Sequence, residues 1–276
     1  MQIPKCITNT IFAAVSKIKT ALRYGKYLLT AKSRYEVHSP FVFNLIEDVL
    51  RDKRHYYAFD EIESRRDGLL ADESVIVVED FGAGSKINKT PERKISSIAK
   101  NTLISPKFGQ LLFRLTNYLQ PEQVFEIGTS LGISTLYLAK ACPKSTITTL
   151  EGSKTVAAKA TEQFNTLEAQ NIRIVTGEFS TTLPSVLAEI KRLDMAFIDG
   201  NHRFAPTMAY FELMLPYLHE NSVLIFDDIH WSDEMEKAWE AVKSNPQVTL
   251  TLDLFFKGIV FFRKDFKQKS HLILQF

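Results

Sequence analysis

The sequence has few of the residues that mark several protein classes. Its 276 residues include only two cysteines, Cys6 and Cys142. That is too few for a disulfide framework, a four-cysteine zinc site or a cysteine-ligated iron–sulfur cluster. Both are expected to be plain thiols of a reducing compartment. No apolar run approaches the roughly 18–20 residues that span a bilayer. The longest early one, Ile11–Val15, is short for a signal-peptide core and is followed by lysines, so a cytoplasmic location is expected. The net charge is only +2, which gives no overall basic field for nucleic acid. Repeats and low-complexity linkers are missing as well. What remains is ordinary globular composition, 45% hydrophobic and 24% charged. The length suits one large domain, or one domain with an extension.

The small net charge hides a split. Residues 1–35 carry Lys5, Lys17, Lys19, Arg23, Lys26, Lys32 and Arg34 and no acid. Those seven leave 27 of the 34 basic side chains to the other 241 residues, against all 32 acids, a net of −5. Ile7, Ile11, Ala14, Val15, Ile18 and Leu22 recur at helical spacing, which predicts a helix docked by that apolar face with a solvated basic face. Contact of the helix with a membrane surface or another anionic partner is the other reading. Ser39-Pro40 supplies an N-cap and a first-turn proline for a helix to about Leu50. Residues 1–95 thus read as a mainly helical extension, and its aromatics Tyr35, Phe41, Tyr56 and Tyr57 are candidates either to close over a substrate or to pack the extension's own core.

From about Ser105 the pattern alternates. β-like runs at Val124–Ile127, Thr146–Leu150, Ile172–Thr176, Met195–Ile198 and Val223–Phe226 are each followed by a helical segment. Five such units predict a doubly wound parallel sheet. Val248–Phe256 and Ile259–Arg263 are joined only by Lys257-Gly258, too short for a parallel crossover, so this pair is antiparallel. The expected fold is α/β, a Rossmann-like seven-stranded sheet with an antiparallel last strand, over residues 96–276.

Two glycine loops follow β-like runs. Asp80–Ser85 leads into a loop and reads as a turn. Glu126-Ile-Gly128-Thr-Ser-Leu-Gly132 leads directly into a helix from Ile133. Its spacing departs from the dinucleotide pattern, and Glu126 would repel a phosphate while accepting a hydrogen bond from a cationic amino group. Glu151 ends the next β run, 23 residues after Gly128, where a carboxylate accepts both ribose hydroxyls. A phosphate-free nucleoside with an amino-acid tail fits both. Ligands bind at the carboxyl ends of parallel strands. Phe197-Ile-Asp199-Gly-Asn-His202 and Ile225-Phe-Asp227-Asp228-Ile-His230-Trp231 should therefore face the same pocket. Three carboxylates there call for a compensating cation or proton.

The segment Ser105-Pro106 to Gly109-Gln110, with Glu126-x-Gly128-x-x-x-Gly132-x-Ser134, resembles the catechol and caffeoyl-CoA O-methyltransferase group and related bacterial class I methyltransferases. The resemblance covers about residues 100–263. It implies S-adenosylmethionine as cofactor and a small-molecule methyl acceptor, with transfer to a hydroxyl oxygen. Glu126, Gly128, Thr129, Ser130, Gly132 and Ser134 would line the methionine part, Glu151 and Gly152 the ribose, Gly177 and Glu178 the adenine, and Asp199 the cofactor as well. It also implies Mg²⁺ or another divalent cation on Asp199, Asp227 and Asp228. His202 stands where the group has a lysine base, and Asp228 where it has an asparagine. His202, Asp199 and His230 are the candidate catalytic residues. No nucleic-acid partner is expected, and a homo-oligomer is compatible with the sequence. A metal-dependent hydrolase lacks its further histidine motifs here. A non-catalytic nucleoside-binding protein on the same fold is the remaining alternative.

Overall fold

The structure is a computed structural model in which residues 5–79 and 91–276 are described, with side chains from residue 18 onward. The Asp80–Ser85 loop and the side chains of Cys6 and of Ile7–Val15 lie outside what is described.

The sheet is built from alternating units, as the periodicity predicts. Strands β1 (Val75–Val77) and β2 (Glu92–Lys94) form a small antiparallel pair on their own. Strands β3 (Gln123–Ile127), β4 (Thr146–Glu151), β5 (Ile172–Thr176), β6 (Met195–Ile198) and β7 (Val223–Asp227) are mutually parallel. With β8 (Leu250–Asp253), β9 (Lys257–Phe261) and β10 (Ser270–Ile273) they form one sheet in the order β10-β8-β9-β7-β6-β3-β4-β5. β9 is antiparallel to both neighbours. The order reverses between β3 and β6, which opens a crevice at the carboxyl ends of these strands.

Two details differ from the expected architecture. β10 is an eighth strand, added parallel to β8 at the edge. The hairpin turns at 254–256 rather than at Lys257-Gly258. Leu254 N–H donates to the Lys257 carbonyl at 2.9 Å, and Phe255 N–H donates to Asp253 Oδ1 at 2.8 Å, with Phe255 at φ +68°. Phe255 is accommodated in this turn because the tertiary structure covers it. It packs 5.4 Å from the Tyr27 ring and 4.9 Å from the Tyr24 ring. Lys257 therefore begins β9, directly opposite Asp227.

Ten helices lie among the described residues: α1 (Lys5–Thr30), α2 (Pro40–Leu45), α3 (Tyr57–Ala71), α4 (Ile95–Thr102), α5 (Pro106–Leu119), α6 (Ile133–Ala141), α7 (Lys154–Thr166), α8 (Phe179–Ile190), α9 (Phe204–Met214) and α10 (Asp233–Ser244). Side chains alternate across each strand, so both faces need cover. On one face Val124, Phe197 and Ile225 pack with α5, α6 and α7. On the other Phe125, Ile198 and Phe226 pack with α8, α9 and α10.

The extension shares the first of these cores. Val42, Leu45, Val49, Phe59 and Ile62 are buried together with Leu112 and Leu136. Ser39 caps α2 as expected, accepting from Val42 N–H at 3.4 Å, and a π-helical turn over Ile46–Leu50 continues it. Removing a buried ring such as Phe59 would cost about 3–5 kcal/mol. Phe41 packs on Phe261 and Phe266, and Tyr56 on Phe59 and Phe113. Tyr35 and Tyr57 are exposed. None of the four aromatics proposed as a cover lines the cleft.

Over its described side chains, from residue 18 onward, helix α1 docks by a different face from the one its apolar pattern predicts. Tyr27 is buried, and its hydroxyl donates to the Leu274 carbonyl at 2.5 Å. Arg23 pairs with Asp233 and, at 2.9 Å, with Glu236 at the start of α10. Ile18 is 60% exposed, Leu22 70% and Leu29 89%. The long-range aromatic and ionic partners decided the docking, and part of the apolar stripe faces outward.

Candidate active site

The loop after β3 turns back over the sheet through left-handed backbone at three residues: Gly128 at φ +99°, Ser130 at +48° and Gly132 at +86°. Gly128 and Thr129 N–H both donate to the Leu150 carbonyl, at 3.0 and 3.1 Å. A Cβ on Gly128 would stand 2.1 Å from the Asp199 carbonyl oxygen, so only glycine lets these strand ends approach. Gly132 then opens α6.

Glu126 lies beneath this loop, not in the cleft. It is fully buried, and its Oε2 accepts from Thr135 at 2.5 Å and Thr149 at 2.6 Å. Oε1 is buried without a hydrogen-bond partner. Burial pushes its carboxyl up to about 7, against the lowering effect of the Ser134, Thr135 and Thr149 hydroxyls. Thr129 is buried too, bonded to Thr149 at 2.6 Å. Thr129, Gly132, Ser134 and Gly177 support the loops without lining the cleft.

Glu151 is anchored at the cleft wall by backbone amides. Ser130 N–H donates to Oε2 at 2.8 Å and Ser153 N–H to Oε1 at 3.0 Å. One backbone donor on each oxygen fixes the carboxylate and leaves lone pairs on both for a ligand. Burial raises its pKa, and the Ser153, Ser130 and Gly152 amides oppose that rise. Gly128, Ser130, Gly152, Glu178 and Asp199 line the same cleft, of about 1570 Å³. The sequence reading missed part of the lining. Thr102 on α4 bonds the Ser130 hydroxyl at 2.6 Å, and Asn101, Phe108 and Phe179 also face the cavity.

The acidic cluster sits at the ends of β6 and β7. Asn201 (φ +66°), His202 (+37°) and Asp228 (+51°) hold left-handed backbone that non-glycine residues rarely adopt. Such strain persists where surrounding packing enforces it, often at functional sites. His202 Nε2 lies 3.2 Å from Asp199 Oδ1. Burial lowers the His202 pKa, but Asp199 first, then Asp228 and Asp227, outweigh it and raise it to about 9. His202 is thus an imidazolium at neutral pH. Burial raises the Asp199 pKa, and the His202 hydrogen bond and charge, with Lys257, bring it below the ordinary carboxylate value. Asp227 and Asp228 are pushed up, mainly by burial.

Lys257 supplies the cation that the three carboxylates require. It is 4% exposed, and its Nζ donates to Asp227 Oδ1. The residues expected to hold a divalent ion are therefore engaged: Asp199 with His202, Asp227 with Lys257. Among the described residues no three His, Cys, Asp or Glu side chains are grouped to hold a metal. The donor set does not fit a divalent cation.

His230 is not brought to the cleft. Nδ1 lies 3.1 Å from Glu236, Nε2 lies 2.8 Å from Asp253, and the ring stacks on Phe255 at 5.2 Å. It braces the hairpin against α10. Trp231, 59% exposed, forms part of the cleft rim.

A doubly wound sheet with one antiparallel strand, a glycine loop and an anchored Glu151 together form a cleft suited to a nucleoside ligand, on a fold shared with solved methyltransferase structures. A family profile described as a methyltransferase domain matches residues 125–229. The chain is 30% identical over 129 residues to a catechol O-methyltransferase of Niastella koreensis, covering 46% of this chain and 58% of that protein. It is 26% identical over 159 residues to a catechol O-methyltransferase of Mycobacterium tuberculosis, covering 57% and 69%. The structure of a Podospora anserina methyltransferase bound to SAH superposes with a TM-score of 0.59 at 15% identity, covering 83% of this chain and 97% of that one. The chain is thus related to O-methyltransferases, although it spans less than two thirds of the Niastella protein's length.

Proposed function

We propose that this chain transfers a methyl group from S-adenosylmethionine to a hydroxyl oxygen of a small molecule, in the cytoplasm. The observation that carries the reading is Glu151, with each oxygen fixed by one backbone amide at the cleft wall. A carboxylate so oriented accepts a vicinal diol, the group a ribose presents. The close approach of backbone at Gly128 forms the cradle beside it. When bound, S-adenosylmethionine supplies an electrophilic methyl group on a sulfonium. The body's net negative charge and the carboxylate of Asp199 at the cleft favour a cationic ligand. Phe108, Phe179 and the α4 residues Asn101 and Thr102 line the same cavity. His202 takes a proton from the acceptor hydroxyl only in its neutral form, so that role strengthens as pH rises towards about 9. The test is a screen of hydroxylated acceptors with methyl-labelled cofactor, alongside calorimetry with SAH. Absence of SAH binding would remove the reading.

Helix α1 carries the second part of the proposal, contact with an anionic membrane surface. Ile18, Leu22 and Leu29 face outward on a segment with seven basic side chains and no acid. An apolar stripe beside basic residues is the pattern of helices that lie in the headgroup plane. Among the described residues no helix is long and apolar enough to cross a membrane.

A further inference from the structure

We propose that Lys257 is the resident cation of this site: its ammonium holds the place against Asp227 that a divalent ion would need, and the cleft works without a metal. The strand register puts it there. In the antiparallel β7–β9 pair Asp227 stands directly opposite Lys257, so both side chains project from the same face of the sheet. A buried lysine is costly unless paired, and this one is paired on several sides. Nζ donates to Asp227 Oδ1, the oxygen that also accepts from Asp228 N–H at 2.7 Å. It lies 4.8 Å from the ring centre of Phe108 and 5.8 Å from that of Phe197, within the range of cation–π attraction.

An ion on Asp227 would have to sit about 2.0–2.6 Å from its oxygens. That is the space the ammonium takes, and two cations on one carboxylate would repel each other strongly in a poorly solvated cleft. Asp199, the other expected ligand, has His202 Nε2 3.2 Å from its Oδ1. Three carboxylates thus face a built-in cation, Lys257, with His202 against Asp199, where the resemblance implies a metal. The geometry points to Lys257 as a positioning residue of the site. Its assignment to methyl transfer rests on the function proposed above; its exclusion of a metal does not.

The experiment is a titration of the full chain with Mn²⁺, following the free ion by electron paramagnetic resonance, with SAH calorimetry on the same samples. The wild type should leave Mn²⁺ free. Lys257→Gln removes the charge and should take up one equivalent, lost again when Asp227→Asn is added. A wild-type chain that binds one equivalent, lost in Asp227→Asn, would overturn the proposal. So would a Lys257→Gln chain that keeps its cooperative unfolding yet binds none. Should Lys257→Gln fail to fold, the wild-type titration decides alone. Absence of SAH binding in the wild type would count against the methyltransferase reading and leave the Mn²⁺ result standing.

Discussion

Replacing Glu126 by glutamine should make the protein more stable in alkaline than in acidic solution, relative to the wild type. In the folded chain burial holds this carboxyl at about 7, against an ordinary value of 4.5. Between those values the unfolded chain has an ionised Glu126 while the native state keeps its proton. Unfolding then releases a proton, and native stability falls as pH rises through that window. The whole loss is about 3 kcal/mol, at about 1.4 kcal/mol for each tenfold change in proton affinity. Of it, about 2.5 kcal/mol falls between pH 5 and pH 8.5. Glutamine keeps the shape and an acceptor for the Thr135 and Thr149 hydroxyls, and it cannot ionise. Every other titration is common to both proteins and cancels in the difference. Urea unfolding of both at pH 5 and pH 8.5 should show the Glu126→Gln advantage growing by about 2.5 kcal/mol at the higher pH. An offset that is the same at both pH values would refute the argument that a buried, proton-holding carboxyl lies beneath the loop. Because Glu126 does not line the cleft, SAH affinity should change little.

Other substitutions test the cleft itself. Gly128→Ala places a Cβ 2.1 Å from the Asp199 backbone oxygen at a φ of +99°, and should cost about 3 kcal/mol or more in a thermal melt and abolish SAH binding. Glu151→Ala removes the carboxylate that ties Ser130 to Ser153 and should weaken SAH binding about 10–100-fold in calorimetry with little change in the melting temperature. Leu22→Glu with Leu29→Glu alters only exposed positions of α1. It should abolish co-sedimentation with vesicles rich in phosphatidylserine while leaving SAH affinity intact; wild-type chain that stays in the supernatant would end the membrane reading.

The β–α alternation was legible because strands buried on both faces read as short apolar runs, and the covering helices carry their own period. The loop from Glu126 to Gly132 and the acid at Glu151 were legible because each follows such a run. The hairpin turn was not. Lys257-Gly258 looks like turn chemistry and Leu254-Phe255-Phe256 like strand, but Tyr24, Tyr27 and His230 cover Phe255 from distant parts of the chain. A turn residue buried by long-range packing loses its polar signature. That displacement hid Lys257, since a residue placed in a turn is not expected opposite Asp227. β10 follows Lys267 and Lys269 and has only the short apolar run Leu272-Ile273-Leu274, with no helical segment before it to mark it as a further unit.

Local periodicity and glycine spacing, carried by the sequence alone, determined the class of fold, the order of its units and the loop that reaches the cleft. Those signals depend only on neighbours in the chain, which is why they survive without coordinates. The tertiary structure decided what the acids do. It buried Glu126, anchored Glu151, drew His230 away and set Lys257 against Asp227. Charge pairing depends on which strands meet in which register, and here that register was fixed by aromatic packing from the opposite end of the chain.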